Sequence, residues 1–179
     1  MIWFTKYSTI LADPPWRFEH RTGKASPEYS KNFKYQTMDL KDIKLLPVDY
    51  IASTQSHLYL WVPNALLPEG MEVLHAWGFK YKSYLLWVKT KNGGGIDGSG
   101  CGFYFRNATE IILFGIKGKN NRTLPPARST TNVIEARKRG HSQKPHELYD
   151  LIEKCSNGPY IELFAREKRP NWAAWGNEI

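Results

Sequence analysis

With 179 residues, 41% of them hydrophobic and 23% charged, the chain has the make-up of an ordinary folded protein, which excludes a disordered tail, a collagen-like rod and a disulfide scaffold. A chain of this length is expected to form a single domain over 1–179 and to bury roughly 70% of the surface its unfolded form exposes. The formal charge of +8 suggests an anionic partner and carries no information about fold.

Thr9–Ala12 is a short apolar run halted by Asp13-Pro14-Pro15, the pattern of a buried strand that ends in a turn. The segment that follows, to Tyr35, is polar and basic without period and reads as a loop. Met38–Leu46 has apolar residues at 40, 43, 45 and 46, a short amphipathic helix with Pro47 beyond its end. His57–Val62 reads as a second buried strand. Asn64 is placed to cap a helix whose apolar residues at 66, 67, 71, 74 and 77 keep helical spacing until Gly78. Phe79–Val88 reads as a strand. Asn92–Gly102 holds six glycines without the G-K-[ST] ending of a nucleotide P-loop, so it reads as a flexible loop or a substrate lid. Glu110–Phe114 is another strand, and a further short one is expected near Val133. Pro145 suits the first turn of a helix that carries Leu148, Leu151 and Ile152 on one face and ends before Gly158. Tyr160–Phe164 is the last expected strand.

Strands alternating with helices imply an α/β protein whose sheet is covered on both faces. In such sheets ligands bind beyond the carboxyl ends of the strands. Two strand ends therefore draw attention: Asp13–Trp16, and Ala165-Arg166 after Ile161–Phe164.

Asp13-Pro14-Pro15-Trp16 is an unusual exit from a strand. Pro15 lacks an N–H and holds Pro14 extended, which gives a stiff turn. The Asp13 carboxylate and the Pro14 carbonyl are then two acceptors beside the Trp16 indole. A flat group bearing an NH₂ satisfies all three, with its two N–H donors on the acceptors and its ring on the indole. The exocyclic amino group of a nucleobase is a poor nucleophile because its lone pair is delocalised into the ring. Gripping both hydrogens favours the pyramidal form and frees that lone pair for in-line attack. A base presented in this way must leave the stack or come from a single strand.

An ordered series of segments extends this reading. They are Ala12–Arg17, Tyr35–Met38, Leu58–Val62, Trp77–Phe79, Trp87–Lys89, Glu110 with Gly115 and Gly118, His141–Pro145, Glu162–Arg166 and Trp175–Glu178. In this order they resemble the MT-A70 family of S-adenosylmethionine-dependent adenine-N6 methyltransferases over nearly the whole chain. The resemblance implies a three-layer Rossmann-like methyltransferase fold with a mixed, mostly parallel sheet, permuted so that the catalytic strand comes first and the cofactor strand last. An alternative reading, an enzyme of cytosine N4, is weakened by Asp13, since those enzymes are similar in this motif but prefer Ser there.

By the same resemblance Asp13, Pro14, Pro15 and Trp16 hold the target adenine. Lys144 meets the methionine carboxylate of the cofactor, with Lys168 as a second contact at a position where the family varies. Asp13, Glu162, Leu163, Phe164, Arg166, Asn177 and Glu178 complete the cofactor contacts; carboxylates and amides suit ribose hydroxyls, which both donate and accept. Glu178 also fits an ordinary surface acid. Tyr35 and Glu110 shape the acceptor pocket, although Glu110 would equally suit the start of a strand. Trp61, Trp77 and Trp87 read as core, and methyl transfer from a sulfonium requires no metal. Longer members carry a segment ahead of the catalytic strand that the twelve residues before Asp13 do not match. Either a second copy or a partner subunit completes the adenine side of the pocket, or the chain acts alone as a minimal enzyme.

The charge is concentrated. Lys117–Lys144 carries +7 and Arg17–Tyr35 carries +3, which leaves −2 for the remainder. Two basic loops on a slightly acidic body favour a surface that tracks phosphates, with Arg137, Lys138 and Arg139 as its expected contacts. A compact chain without added RNA-binding modules points to DNA in preference to RNA. A catalytically silent nucleic-acid-binding subunit is the contrasting reading, and intact Asp13–Trp16 and Lys144 argue against it. Cys101 and Cys155 form no C-x-x-C pair, no signal peptide is indicated and no apolar run is long enough to span a bilayer, so a cytoplasmic protein is expected.

Overall fold

The computed structural model describes residues 4–17, 37–100, 104–139 and 143–179. Tyr35, Cys101, His141, Ser142 and most of the first basic stretch lie outside the described residues. In chain order the elements are β1 (Tyr7–Ala12), α1 (Leu40–Leu45), α2 (Val48–Ile51), β2 (Ala52–Val62), α3 (Leu67–Ala76), β3 (Lys80–Thr90), β4 (Thr109–Lys117), β5 (Val133–Arg137), α4 (Glu147–Cys155), β6 (Tyr160–Leu163) and β7 (Trp172–Trp175). The strands form one seven-stranded sheet in the order β5-β3-β4-β2-β1-β6-β7. Only β4 runs against the others: it is antiparallel to β2 and β3, and every remaining pairing is parallel.

Alternation along each strand sorts the core into two layers. Ile10, Ala12, Leu58, Leu60, Val62, Ile161 and Leu163 face α1, α2 and α3, where they meet Ile43, Val48, Leu74 and Trp77. Leu11, Tyr59, Trp61, Trp87 and Ile112 face the opposite way and pack with Leu148, Tyr149 and Ile152 of α4. Helices therefore cover both faces, and the fold is the expected α/β Rossmann-like arrangement with a mixed, mostly parallel sheet. The strand bearing Asp13 comes first and the strand bearing Glu162 comes late. Trp61, Trp77 and Trp87 are 2%, 0% and 1% exposed, as expected of core residues.

Several boundaries differ from the sequence reading. Asn64 caps nothing: α3 begins at Leu67 after a short 3₁₀ turn, and the Asn64 amide instead donates to the Thr109 carbonyl at 3.0 Å. Pro145 precedes α4 by two residues, since His146 occupies the N-cap and Glu147 opens the helix. The strand β7 was not anticipated at all. The glycine-rich segment forms a compact turn against β3. The Lys91 N–H donates to the Gly95 carbonyl at 3.0 Å, and the Asp97 N–H to the Lys89 carbonyl at 2.7 Å. Gly93, Gly94 and Gly95 have φ of 89°, 99° and 77°, values that glycine reaches without strain. Among the described residues no helix is long and apolar enough to cross a membrane.

One polar knot lies inside the α4 layer. Ser156 Oγ sits 2.8 Å from His57 Nδ1 and 2.7 Å from the Tyr59 hydroxyl, and His57 is 4% exposed. Burial holds the His57 pKa below 6.5, against a hydrogen bond with the Asn121 backbone that raises it. The unfolded chain then binds the extra proton first, so stability falls as pH drops below 6.5 towards the lowered folded value. Urea unfolding between pH 7.5 and 5.0 should show this loss, with a slope of up to about 1.4 kcal/mol per pH unit for one proton. In a His57→Gln variant that part of the slope should vanish.

Candidate active site

All strands except β4 point their carboxyl ends to one edge of the sheet, and β4 starts there because it runs the other way. That edge thus collects Asp13 after β1, Pro63 and Asn64 after β2, Lys89 near the end of β3 and Glu110 at the start of β4. Alternation also puts their side chains on one face. Asp13 keeps the parity of Leu11, Lys89 that of Trp87, Glu110 that of Ile112, and all three of those neighbours belong to the α4 layer. The loop into α4 brings Lys144 to the same place. A cavity of about 250 Å³ lies there, lined by Asp13, Trp61, Asn64, Lys89, Glu110 and Lys144 among others.

Four charges alternate along this cavity. Lys144 Nζ lies 3.3 Å from Asp13 Oδ2 and 2.9 Å from Glu110 Oε2, and Lys89 Nζ lies 2.8 Å from Glu110 Oε1. The Lys144 ammonium also sits 4.6 Å from the centre of the Trp61 ring, a cation–π contact that roofs the core tryptophan. Glu110 does begin a strand, and that is how it reaches the site. The side chains of Asp13 and Lys144 are 21% and 19% exposed, so the pair is sheltered but still open to a ligand.

The protonation directions follow from this geometry. Burial pushes the Asp13 carboxyl up; Lys144 pulls it down, Glu110 adds to the rise, and the net shift is upward. Burial would likewise raise Glu110, but Lys144 and Lys89 outweigh it and hold that group below its ordinary value. For Lys144 burial opposes the charge, while Asp13 and Glu110 overcome it and raise the pKa. Lys144 therefore remains a cation, and Glu110 is its firmest counter-ion.

The turn after β1 is built differently from the simple sequence picture. The Pro14 carbonyl accepts the Trp16 N–H at 2.8 Å, and the Pro15 carbonyl accepts the Met38 N–H at 2.8 Å. A carbonyl has two lone pairs, so Pro14 keeps one acceptor site. Trp16 is only 7% exposed, and its indole N–H donates to the Trp61 carbonyl at 2.9 Å. The open stacking face expected of Trp16 is occupied by packing, and the ring serves to brace the turn.

A second group of expected residues gathers beside Asp13 at the ends of β6 and β7. Glu162 pairs in register with Leu11 and accepts a hydrogen bond from the Tyr149 hydroxyl at 2.9 Å. Its pKa is raised to about 7, chiefly by burial and further by Asp13, against the Tyr149 bond and Arg169, which lower it. Arg166 forms an ion pair with Glu178 at 3.5 Å, while Asn177 and Lys168 are exposed. Leu163 is fully buried in the opposite layer, so only its backbone serves this edge: its carbonyl accepts the Asp13 N–H at 3.4 Å. Phe164 turns the chain with φ of 64°, a strained value for a bulky residue, and packs edge-on against Trp175 with ring centres 5.3 Å apart. Gly176 is required beside it, since a Cβ there would lie 2.2 Å from the Ala165 carbonyl oxygen.

The basic stretch 117–144 divides. Lys117 ends β4 at the far edge of the sheet, where it pairs with Asp49 at 2.7 Å. Leu124 bonds to Cys155 at the distal end of α4, so Arg122 and Arg128 belong to that remote side. Arg137 ends β5 at the site edge and Lys138 and Arg139 follow it; all three are exposed, with Arg139 paired to Glu147 at 2.7 Å. Lys89 and Asn64 were assigned no place in the site by the sequence reading, which took Asn64 for a helix cap; the signal for both is position, at the ends of β3 and β2. No group of three His, Cys, Asp or Glu residues with metal-binding geometry occurs among the described residues.

A sheet of this order, with an acidic, proline-stiffened exit from β1, has the Rossmann-like fold of methyltransferases. Residues 7–178 match the model of the MT-A70 family, and the chain belongs to that family. It is 31% identical to the type II methyltransferase M.MunI of Mycoplasma sp, with 97% of this chain and 78% of that protein covered. It is 30% identical to the human N(6)-adenosine-methyltransferase catalytic subunit METTL3 and 32% identical to a putative MT-A70-like N(6)-adenosine-methyltransferase of Medicago truncatula. Both matches cover 97% of this chain but only 28% and 26% of those proteins. The chain thus spans about a quarter of the length of these two relatives.

The raised pKa of Glu162 has a measurable consequence. Its folded value of about 7 lies above the ordinary 4.5, so the fold holds this proton more tightly than the unfolded chain. The contribution of Glu162 to stability should therefore decline as pH rises from about 4.5 through 7. In denaturant unfolding the stability of wild type relative to Glu162→Gln should fall across that range, the opposite effect of His57 being common to both proteins.

Proposed function

We propose that the chain transfers a methyl group from S-adenosylmethionine to the N6 amino group of adenine in nucleic acid, with DNA favoured over RNA. The observation that carries this reading is the Asp13 carboxylate, held at the stiff end of β1 and open to the cavity beside Lys144. Membership of the MT-A70 family implies a methyl donor. The donor set suits S-adenosylmethionine: Lys144 offers a cation for a carboxylate, Asp13 an acceptor for an ammonium, and Glu162 with Asn177 the groups that bind ribose hydroxyls. When bound, that cofactor supplies an electrophilic methyl group on a sulfonium.

Asp13 accepts one N–H of the target amino group, and the free lone pair of the Pro14 carbonyl accepts the other. This grip turns the nitrogen lone pair towards the methyl donor and fixes the line of attack. After transfer the nitrogen must lose a proton. A carboxylate whose pKa is raised by burial takes or relays that proton better than an exposed aspartate does. Glu110, anchored by Lys89, holds the Lys144 ammonium in place so that Asp13 is not neutralised by it alone. The preference for DNA is supported by the likeness to a type II methyltransferase, matched over 78% of its length.

The deciding measurement is mass spectrometry of nucleosides after incubation of DNA and of RNA with the protein and S-adenosylmethionine. N6-methyladenine should appear, in DNA above RNA, and its absence from both polymers would sink the reading. Asp13→Ala should abolish product while largely sparing cofactor binding by calorimetry, and Lys144→Ala should weaken that binding. Replacing Arg137, Lys138 and Arg139 by Ala should reduce nucleic-acid affinity and flatten its dependence on salt. An unchanged salt slope would leave those charges as solvation only.

A further inference from the structure

We propose that Tyr104 and Phe105 form a stacking platform for the nucleobases next to the target adenine. The inference rests on the proposed action on nucleic acid and adds the residues that hold the polymer beside the cavity. Tyr104 is 93% and Phe105 86% exposed, the two most exposed large hydrophobic side chains among the described residues. Isolated exposed aromatics are ordinary on protein surfaces. Two adjacent ones at the rim of a cavity, between cations, are not.

Their placement is set by the chain around them. Asn107 and Thr109, a few residues on, line the cavity itself. Between them Ala108 is tied to Lys89, its carbonyl accepting the Lys89 N–H at 2.9 Å. Across the loop, a Cβ on Gly100 would lie 2.4 Å from the Asn107 carbonyl oxygen, so the two arms of the loop touch at that point. The aromatic pair thus lies two and three residues from Asn107, which lines the cavity and is fixed by that contact. Lys91 and Arg106 are exposed on the same loop. Lys138 is close enough to Asp97 to lower its pKa, after hydrogen bonds from Ser99 that do more. The basic end of β5 and the aromatic loop are therefore neighbours.

Flat apolar faces flanked by positive charge match one common partner, a nucleic-acid strand, whose bases offer π-faces and whose backbone offers phosphates. The need is also clear from the proposed chemistry. An adenine that enters the cavity leaves its neighbours unstacked, and an aromatic ring at the mouth replaces the lost partner. The buried Trp16 cannot do this, because its ring is enclosed in the core. Stacking of this kind is insensitive to sequence, so the platform grips the strand without selecting the target site.

The test is a Tyr104→Ala/Phe105→Ala double variant of the full chain, with fluorescently labelled single-stranded and duplex oligonucleotides of mixed sequence as probes. Affinity is measured by anisotropy at several salt concentrations, alongside calorimetric binding of S-adenosylmethionine, methyl transfer and thermal unfolding. The double variant should lose affinity by about ten-fold or more, the worth of a base–aromatic stack. Its salt slope, cofactor binding and melting temperature should match wild type, and Tyr104→Trp/Phe105→Trp should restore affinity. Wild-type affinity in the double variant overturns the proposal, as does a wild type that binds no oligonucleotide. So does a wild-type dimer that the double variant turns into a monomer, since a second copy then covers the aromatics. A wild type that binds oligonucleotide but adds no methyl group defeats the proposed reaction alone, and the affinity comparison still decides the platform.

Discussion

Lys144 holds its ammonium between Asp13 and Glu110, and the rest of the site is arranged around that shared cation. Two carboxylates at one strand edge repel, and without a counter-ion one of them would take up a proton. Lys144 alone would pair with both and draw Asp13 into a closed salt bridge. Lys89 alters the balance from the far side: at 2.8 Å it secures Glu110, which in turn holds Lys144 at 2.9 Å, while the contact to Asp13 is longer, at 3.3 Å. The result is an ordered chain of charges with no net charge, in which Asp13 is the least committed member. Removing the shared cation from such a cluster costs more than any one pair contributes, because it strands two sheltered carboxylates.

That arrangement depends on the reversed strand. If β4 ran parallel to its neighbours, Glu110 would lie at the opposite edge of the sheet, where Lys117 now stands. The reversal also decides where the basic residues fall. The stretch from Lys117 starts at the remote edge, passes along the distal end of α4, and returns through β5 to the site edge at Arg137. A run that looks like one positive patch in the sequence is therefore two patches separated by the length of a strand. Only the later one lies at the edge that holds the cavity.

Much of the fold was legible because two periods alternate cleanly. Apolar runs at Thr9–Ala12, His57–Val62 and Tyr160–Phe164 were short but bounded by Pro, and each became a strand, the last stopping at Leu163 because Phe164 turns the chain. The four residues of β7 carry no such signal; Trp172–Trp175 is extended only because β6 offers it an edge and Gly176 lets it pass close to Ala165. Asn64 looked like a cap because amides suit that position, but the neighbouring start of β4 offered its amide a better-placed carbonyl. Within the site, Asp13 and Lys144 were legible from their motifs. Lys89 was not, since a lysine near the end of an aromatic strand has the appearance of any snorkelling surface residue. Its role exists only through Glu110, which is 21 positions away in sequence and adjacent in the sheet.

The same electrostatics bear on turnover in the proposed reaction. Asp13 lies two residues beyond Leu11, the register partner of Glu162, and burial holds both carboxyl groups above their ordinary values, with Asp13 adding to the rise of Glu162. A cationic sulfonium held beside them would favour their ionised forms, whereas a neutral thioether in the same place would not. Sheltered carboxylates, once ionised, would thus hold a charged donor more tightly than an uncharged product, less the cost of releasing their protons. A fully solvated pair, ionised in every state, would provide far less of that difference, which gives burial at this strand edge a purpose beyond packing.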